Sequence, residues 1–118
     1  MGMNARSKGA RGERLWRDEL NSAGFTGSRR NGQQGGGGSF LCPDVECPSL
    51  SNIHWEVKNV QALNVREAMT QAVNDACGSP KIPIVSWKKN NQPWLVVLRA
   101  DDFFRLAHSG SIVLTNNG

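Results

Sequence analysis

Apolar residues recur every three or four positions in three segments of the chain, and this spacing predicts three helices. The segments cover 8–22, 64–76 and 100–107. Ser7, Asn64 and Asp101 lie at or near the starts of these segments. Each can act as an N-cap, because its side-chain oxygen can accept a hydrogen bond from a backbone amide of the first turn. Gly24 and Gly78 are expected to end the first two helices.

Between these helices the apolar pattern changes to a period of two, which predicts strands. The predicted strands cover 25–30, 40–46, 53–58, 82–87 and 94–98, and the tail is expected to add an edge strand over 112–114. In the third strand one face carries Ile53, Trp55 and Val57, and the other carries His54, Glu56 and Lys58. The order α-β-β-β-α-β-β-α predicts an α/β domain with a mixed central sheet flanked by helices.

Composition narrows the classes of protein that this chain can belong to. A length of 118 residues predicts one domain, and a net charge of +4 suits a polyanionic partner. Three Cys do not make a closed disulfide framework, which favours reduced thiols and a cytoplasmic location. No apolar run reaches the roughly 20 residues of a membrane helix, and no secretion signal is recognised. Within the single domain, 1–118, the expected irregular segments are a basic arm at 1–6, a Gly-rich loop at 31–39 and a tail at 109–118.

Two carboxylates and one ammonium group are predicted to converge on the sheet. Asp44 follows Pro43 on the second predicted strand, and Glu56 and Lys58 lie two residues apart on one face of the third. Neighbouring carboxylates repel each other unless a cation lies between them, and a hard divalent ion such as Mg²⁺ prefers oxygen ligands. A Lys beside that ion can hold or deprotonate a water. The pattern therefore predicts metal-assisted hydrolysis of a phosphodiester.

Glu13 is a further candidate for this site. It lies on the same helical stripe as Trp16 and Leu20, where an unpaired charge is costly. Either it pairs with Arg17 at the rim of the helix, or it joins the acidic cluster. The predicted metal site favours the second alternative.

Several motifs, taken in their order and spacing, resemble the PD-(D/E)XK nuclease superfamily. They are SKGARGERLWRDELNSAGF at the first helix, GSRR, PDV, EVKN, and IPIVSWKK followed by WLVV. Within the superfamily the arrangement is similar to that of the small Holliday junction resolvases of archaea and phages and of the VRR-NUC nucleases. The similarity covers about 7–106. The usual serine of the pattern corresponds to Ser28 or Ser39.

The resemblance implies a role for each matching residue. The implied catalytic residues are Glu13, Asp44, Glu56, Lys58 and Gln71, and the implied metal ligands are Glu13, Asp44, Glu56 and Val57. Val57 would contribute its backbone carbonyl, and Glu13 would act directly or through a water. Lys58 would orient the attacking water or stabilise developing negative charge. Gln71 resembles a helix Gln that lines the site in some relatives, although it falls outside the core stripe.

The resemblance also implies an activity. We expect a restriction-endonuclease-like α/β fold and a DNA endonuclease dependent on Mg²⁺, for which Mn²⁺ can substitute. The expected substrate is a four-way junction in DNA recombination or repair, in a bacterial or phage-infected cell. Cutting two strands needs two active sites, which predicts a homodimer; no membrane and no small-molecule cofactor are expected. The basic residues expected to contact DNA are Lys8, Arg11, Arg29, Arg30, Lys88 and Lys89.

Other functions remain open from the same residues. A restriction-like, flap or general nuclease would use the same motif. Cys42, Cys47, His54 and Cys77 make a poorly spaced zinc set, which would belong to a non-catalytic nucleic-acid-binding module. A Cys–His hydrolase, with Cys77 beside His54 or His108, lacks a recognisable nucleophile and base arrangement. Buried thiols are the favoured interpretation of the cysteines.

Overall fold

The computed structural model describes residues 5–30 and 44–110. The helices in these ranges are α1 (Ala5–Ser22), α2 (Val65–Asp75) and α3 (Ala100–His108). The strands are β1 (Arg29–Arg30), β2 (Val45–Glu46), β3 (Ile53–Asn59), β4 (Ile82–Lys88) and β5 (Leu95–Val97), and a short 3₁₀ turn (Pro48–Leu50) joins β2 to β3. The predicted order of elements is confirmed.

The strands form one mixed sheet in the spatial order β1-β2-β3-β4-β5. The two long central strands, β3 and β4, run parallel, with Ile53 beside Ile82 at one end and Asn59 beside Lys88 at the other. The other neighbouring pairs are antiparallel. Because α2 connects β3 to β4, this is the helical crossover that a parallel pair requires. The predicted α/β class is therefore confirmed.

Helices cover both faces of the sheet. The larger core cluster joins α1 and α3 to one face and includes Trp16, Leu20, Trp55, Ile84 and Leu106. The smaller cluster joins α2 to the opposite face through Ala68, Ala72 and Val85. Cover on both faces explains why every residue from Ile53 to Val57 is buried, although their side chains alternate in direction.

The helix starts were predicted with mixed success. Asn64 is the N-cap of α2, and its side-chain oxygen accepts a hydrogen bond from the Glu67 amide at 3.0 Å, as the sequence predicts. The cap predicted at Ser7 is wrong, because α1 begins before it, within the predicted basic arm. The cap predicted at Asp101 is also wrong. Arg99 holds the cap position of α3, and Asp101 lies in the first turn.

The first strand is shorter than predicted at its start. Phe25 to Ser28 form a turn in which Gly27 has a φ of +85° and the Ser28 hydroxyl donates to the Phe25 carbonyl at 2.9 Å. This turn redirects the chain after α1, so pairing with β2 begins only at Arg29. The predicted Gly-rich loop (31–39), the start of the second strand (40–43) and the edge strand (112–114) lie outside the described residues. No described helix is long and apolar enough to cross a membrane.

Candidate active site

Asp44 is held against β3 by two hydrogen bonds. Its carboxylate accepts from the Val57 amide at 2.9 Å, and its own amide donates to the Trp55 carbonyl at 3.0 Å. β2 begins at the next residue, where Val45 pairs with Trp55. The short side chain of Asp44 thus continues the ladder to β3. A carboxylate has two oxygens, so one can bind the Val57 amide while the other binds a cation.

Glu56 projects from the middle of β3 and is only 5% exposed. Burial, followed by repulsion from Asp44 and Asp75, raises the pKa of Glu56 to about 8. Burial also raises the pKa of Asp44 to about 6, although the Val57 amide stabilises its charged form. Both carboxyl groups therefore resist ionisation in the protein alone. A cation beside them would favour the ionised forms.

Lys58 lies two residues after Glu56 on the same face of β3, towards α2. Its ammonium group donates to the side-chain oxygen of Gln71 at 2.8 Å. Gln71 belongs to the α2 turn that places Ala68 and Ala72 on the sheet. The sequence placed Gln71 outside the core stripe, and the structure shows that this edge position brings it to Lys58.

Glu13 reaches the site from α1. Its carboxylate accepts from the Arg30 guanidinium at 2.7 Å. The alternative in which Glu13 pairs with Arg17 is wrong, because Arg17 pairs with Asp18 at 2.9 Å. The charge of Glu13 is one of the causes that raise the pKa of Asp44, so the two carboxylates lie within electrostatic reach. We call Glu13, Asp44 and Glu56 the acidic centre.

Of two further groups beside this centre, the first was not predicted from the sequence and the second was considered only for other roles. Asp75 ends α2 four residues after Gln71, and its charge contributes to the raised pKa of Glu56. The i, i+4 spacing from Gln71 is a signal that could have found it. His54 is fully buried, burial lowers its pKa, and neither ring nitrogen has a hydrogen-bond partner among the described residues.

The donor groups at the acidic centre suit a hard divalent cation. Asp44 and Glu56 offer carboxylate oxygens, and the Val57 carbonyl is the further ligand implied by the resemblance. Over 5–30 and 44–110, no three or more His, Cys, Asp and Glu side chains group closely enough to hold a metal ion. A cation here would therefore rely on two carboxylates, backbone oxygen and solvent. Mg²⁺ accepts such a set, because it usually keeps several waters.

Two of the predicted DNA contacts are engaged with carboxylates. Arg29 pairs with Glu46 at 2.9 Å, and Arg30 pairs with Glu13 at 2.7 Å. Both pairs connect β1 to neighbouring elements. In this structure these guanidinium groups therefore hold β1 in place and position Glu13.

Three other predicted contacts come together in an open groove of about 690 Å³. Lys8 and Arg11 approach it from α1, and Lys88 approaches it from the end of β4. Lys89, the next residue, lines a separate pocket beside Trp87. We call the first of these the basic groove.

The two described thiols are not bonded to each other. Cys47 is buried in the larger core cluster, and Cys77 is exposed beyond the end of α2. Cys42 lies outside the described residues. Cys47 thus contributes to packing, as predicted, whereas the prediction of a buried thiol is wrong for Cys77.

The fold and the motif positions together define the class of the protein. A mixed α/β sheet with Asp44 at the start of one strand and Glu56 and Lys58 on the adjacent strand is the arrangement of PD-(D/E)XK nucleases. The chain belongs to the family described as "Phage putative PDDEXK endonuclease", whose model matches residues 4–116. The superfamily predicted from the motifs is thereby confirmed. Nucleases of this superfamily generally use divalent metal ions. Comparisons with curated proteins and with solved structures gave no significant match.

Proposed function

We propose that this protein is a metal-dependent DNA endonuclease that is selective for branched DNA, with a four-way junction as its substrate. The observation that carries the metal-dependent cleavage is the position of Asp44 and Glu56 beside Lys58, whereas the junction substrate rests on the resemblance to the resolvases. A buried Glu56 beside a half-buried Asp44, both with raised pKa values, is costly in a purely structural role. Their cost is explained if they bind a cation during catalysis.

Different residues would have different roles in phosphodiester hydrolysis. Asp44 and Glu56 would hold Mg²⁺ or Mn²⁺, with the Val57 carbonyl as a further ligand. When bound, the cation supplies Lewis-acid stabilisation of the phosphate charge. Lys58 points its ammonium group along the same face as Glu56, where it orients the attacking water or stabilises developing negative charge.

Supporting residues fix these groups. Gln71 accepts one hydrogen bond from the Lys58 ammonium and restricts its position. Arg30 holds the Glu13 carboxylate, so that Glu13 would act on the acidic centre through a water and not as a direct ligand. Pre-positioning of this kind lowers the cost of reaching the transition state.

Two strands of a junction require two active sites, so we propose a homodimer. Exposed apolar side chains on β5 and α3 support this proposal: Leu95, Val96, Phe103 and Phe104. The proposed setting is DNA recombination or repair in the cytoplasm of a bacterial or phage-infected cell. Size-exclusion chromatography with light scattering tests the dimer, and a monomer at micromolar concentration contradicts it.

A cleavage panel tests the substrate. End-labelled four-way junction, flap, fork, single strand and duplex are compared with Mg²⁺, with Mn²⁺ and with chelator. We expect junction cleavage that needs the metal and is lost in Asp44→Asn, while Asp18→Asn on the exposed side of α1 remains active. Duplex cleavage that equals or exceeds junction cleavage would instead favour a restriction-like or general nuclease. Metal-independent DNA binding that survives Asp44→Asn, with no cleavage of any substrate, would favour a binding module.

A further inference from the structure

The basic groove lies at the carboxyl ends of the two central parallel strands. Asn59, the last residue of β3, follows Lys58 directly and pairs in register with Lys88 of β4. The Asn59 side-chain amide donates to the Lys8 carbonyl at 3.2 Å and so joins the groove wall on α1 to its floor. Consecutive strand residues point to opposite faces. The groove therefore starts beside the catalytic Lys but opens on the α1 face, away from Glu56.

The cations of the groove differ from those on β1. No described carboxylate pairs with Lys8, Arg11 or Lys88, whereas Arg29 and Arg30 each have one. The positive charge of the groove is therefore uncompensated within the described part of the chain. An uncompensated cluster of this kind attracts polyanions.

Hydrogen bonds hold Lys88 and the turn beside it at the groove. The Lys88 ammonium donates to the Gln92 carbonyl at 2.6 Å and to the Lys89 carbonyl at 3.1 Å, which fixes its charge at the groove. The backbone amide of Asn90 donates to the side-chain oxygen of Gln61 at 2.7 Å and holds the following turn. Asn90 and Asn91 line the groove from that turn. Side-chain amides and ammonium groups are the donors that proteins present to phosphate oxygens.

We propose that the basic groove is a second phosphate-binding site, which holds the sugar-phosphate backbone of a DNA strand outside the cleavage centre. It rests on the proposed function for the identity of the polyanion. The groove supplies affinity, whereas the acidic centre supplies the rate of cleavage. Asn59, Asn90 and Asn91 contribute donors, and the three cations contribute charge.

Binding and cleavage measured on the same variants test this site. Affinity for a labelled junction and duplex is measured by fluorescence anisotropy in chelator between 50 and 300 mM salt, on the full chain. The test variant is Lys8→Ala with Lys88→Ala. The matched control is Arg66→Ala with Lys81→Ala, which removes the same charge from exposed or partly exposed positions outside the groove.

We expect the test variant to lose about tenfold in affinity per cation. The slope of log affinity against log salt should fall by about 0.7–0.9 for each removed cation, and the control should change neither quantity to this extent. Under single-turnover conditions the maximal cleavage rate should remain, with a higher half-saturating concentration. Lys8→Arg with Lys88→Arg should restore binding.

A second variant removes no cation. Asn90→Asp keeps the shape of the side chain and adds negative charge to the groove, so it should weaken DNA binding, while Asn74→Asp on α2 should not. The proposal is overturned if the test variant matches its control or if Asn90→Asp matches Asn74→Asp. Cleavage that continues normally would then leave the proposed function standing. DNA binding that depends on the groove, without cleavage of any substrate, would instead overturn the proposed function. The proposal of a phosphate-binding site in the groove would then still stand.

Discussion

The acidic centre and the basic groove meet β3 three residues apart, at Glu56 and Asn59, and hold their charges in opposite ways. The acidic centre encloses like charges, and burial raises the pKa values of both Asp44 and Glu56. The groove leaves its cations at an open surface without carboxylate partners among the described residues. A buried charge interacts strongly with a bound ion, and the interaction depends on the exact position of the charge. A charge at an open surface acts over a longer distance and is screened by salt. We therefore expect the first region to control rate and metal use, and the second to control affinity.

The largest effect should come from removing the ammonium group at the centre. Lys58→Ala should lower the single-turnover rate of DNA cleavage by about 10²–10³-fold, because it removes the donor proposed to stabilise developing negative charge. DNA affinity should stay close to that of the wild type, since the groove is intact. Lys81→Ala, at the amino end of β4, is the matched control. A variant that cleaves normally, or that loses binding and rate together, would break the division between the two regions.

The pH dependence of stability should show the enclosed charge directly. The pKa of Glu56 is raised from 4.5 to about 8 on folding, so the folded protein keeps a proton that the unfolded chain loses in this range. The free energy of unfolding of the metal-free protein should therefore fall as pH rises from about 4.5 to 8. Glu56→Gln removes this loss and should be more stable than the wild type by on the order of 3 kcal/mol above pH 8.

Urea denaturation at a series of pH values measures that difference. The wild type and Glu56→Gln should converge below pH 4.5, where the Glu is protonated in both states. Glu19→Gln, on an exposed position of α1, should show no comparable gain. A constant difference across the whole pH range would mean that packing, and not ionisation, separates the two proteins.

The contact between α1 and β3 at the basic groove can be disturbed at Gly12. A Cβ atom there would lie 2.6 Å from the Cβ of Asn59, so α1 must move away from β3. Gly12→Ala should lower the free energy of unfolding by about 2 kcal/mol and weaken DNA binding, because the groove walls separate. Gly9→Ala is an informative control, since nothing lies within 4 Å of its added Cβ atom. It should stabilise the helix by about 1 kcal/mol or less. Equal effects at the two positions would contradict the close contact.

The smallest effect should come from the residue that holds Lys58. Gln71→Ala removes one hydrogen bond to the ammonium group and should lower the cleavage rate about fivefold, with DNA affinity unchanged. Thr70→Ala, the preceding exposed residue of α2, should cleave at the wild-type rate. An equal loss in both variants would show that α2 stability, and not the position of Lys58, is responsible.

The sequence predicted what depends on short-range periodicity. Alternation in β3 placed Glu56 and Lys58 on one face, and Asn64 marked the start of α2, because both features are determined by neighbours in the chain. The turn at Gly27 was missed because apolar and polar residues around it resemble a strand. Its positive φ became visible only in the structure.

Contacts between distant elements were less predictable. Glu13 and Arg30 are 17 residues apart, and Lys58 and Gln71 are 13 apart. Their pairing depends on how α1 and α2 are oriented on the sheet, which residue spacing does not specify. The same limit applies to the groove. Lys8 and Lys88 are 80 residues apart in the chain and were identified as basic residues, but not as neighbours.

The most direct test of the central claim is the thermal stability of the wild type and Asp44→Asn at pH 8 as Mn²⁺ is added. Asn can still accept the Val57 amide, so the variant should fold and, without metal, should be at least as stable as the wild type. The claim predicts that Mn²⁺ raises the melting temperature of the wild type by several degrees and leaves that of Asp44→Asn unchanged. An equal response of the two proteins to Mn²⁺ would contradict it.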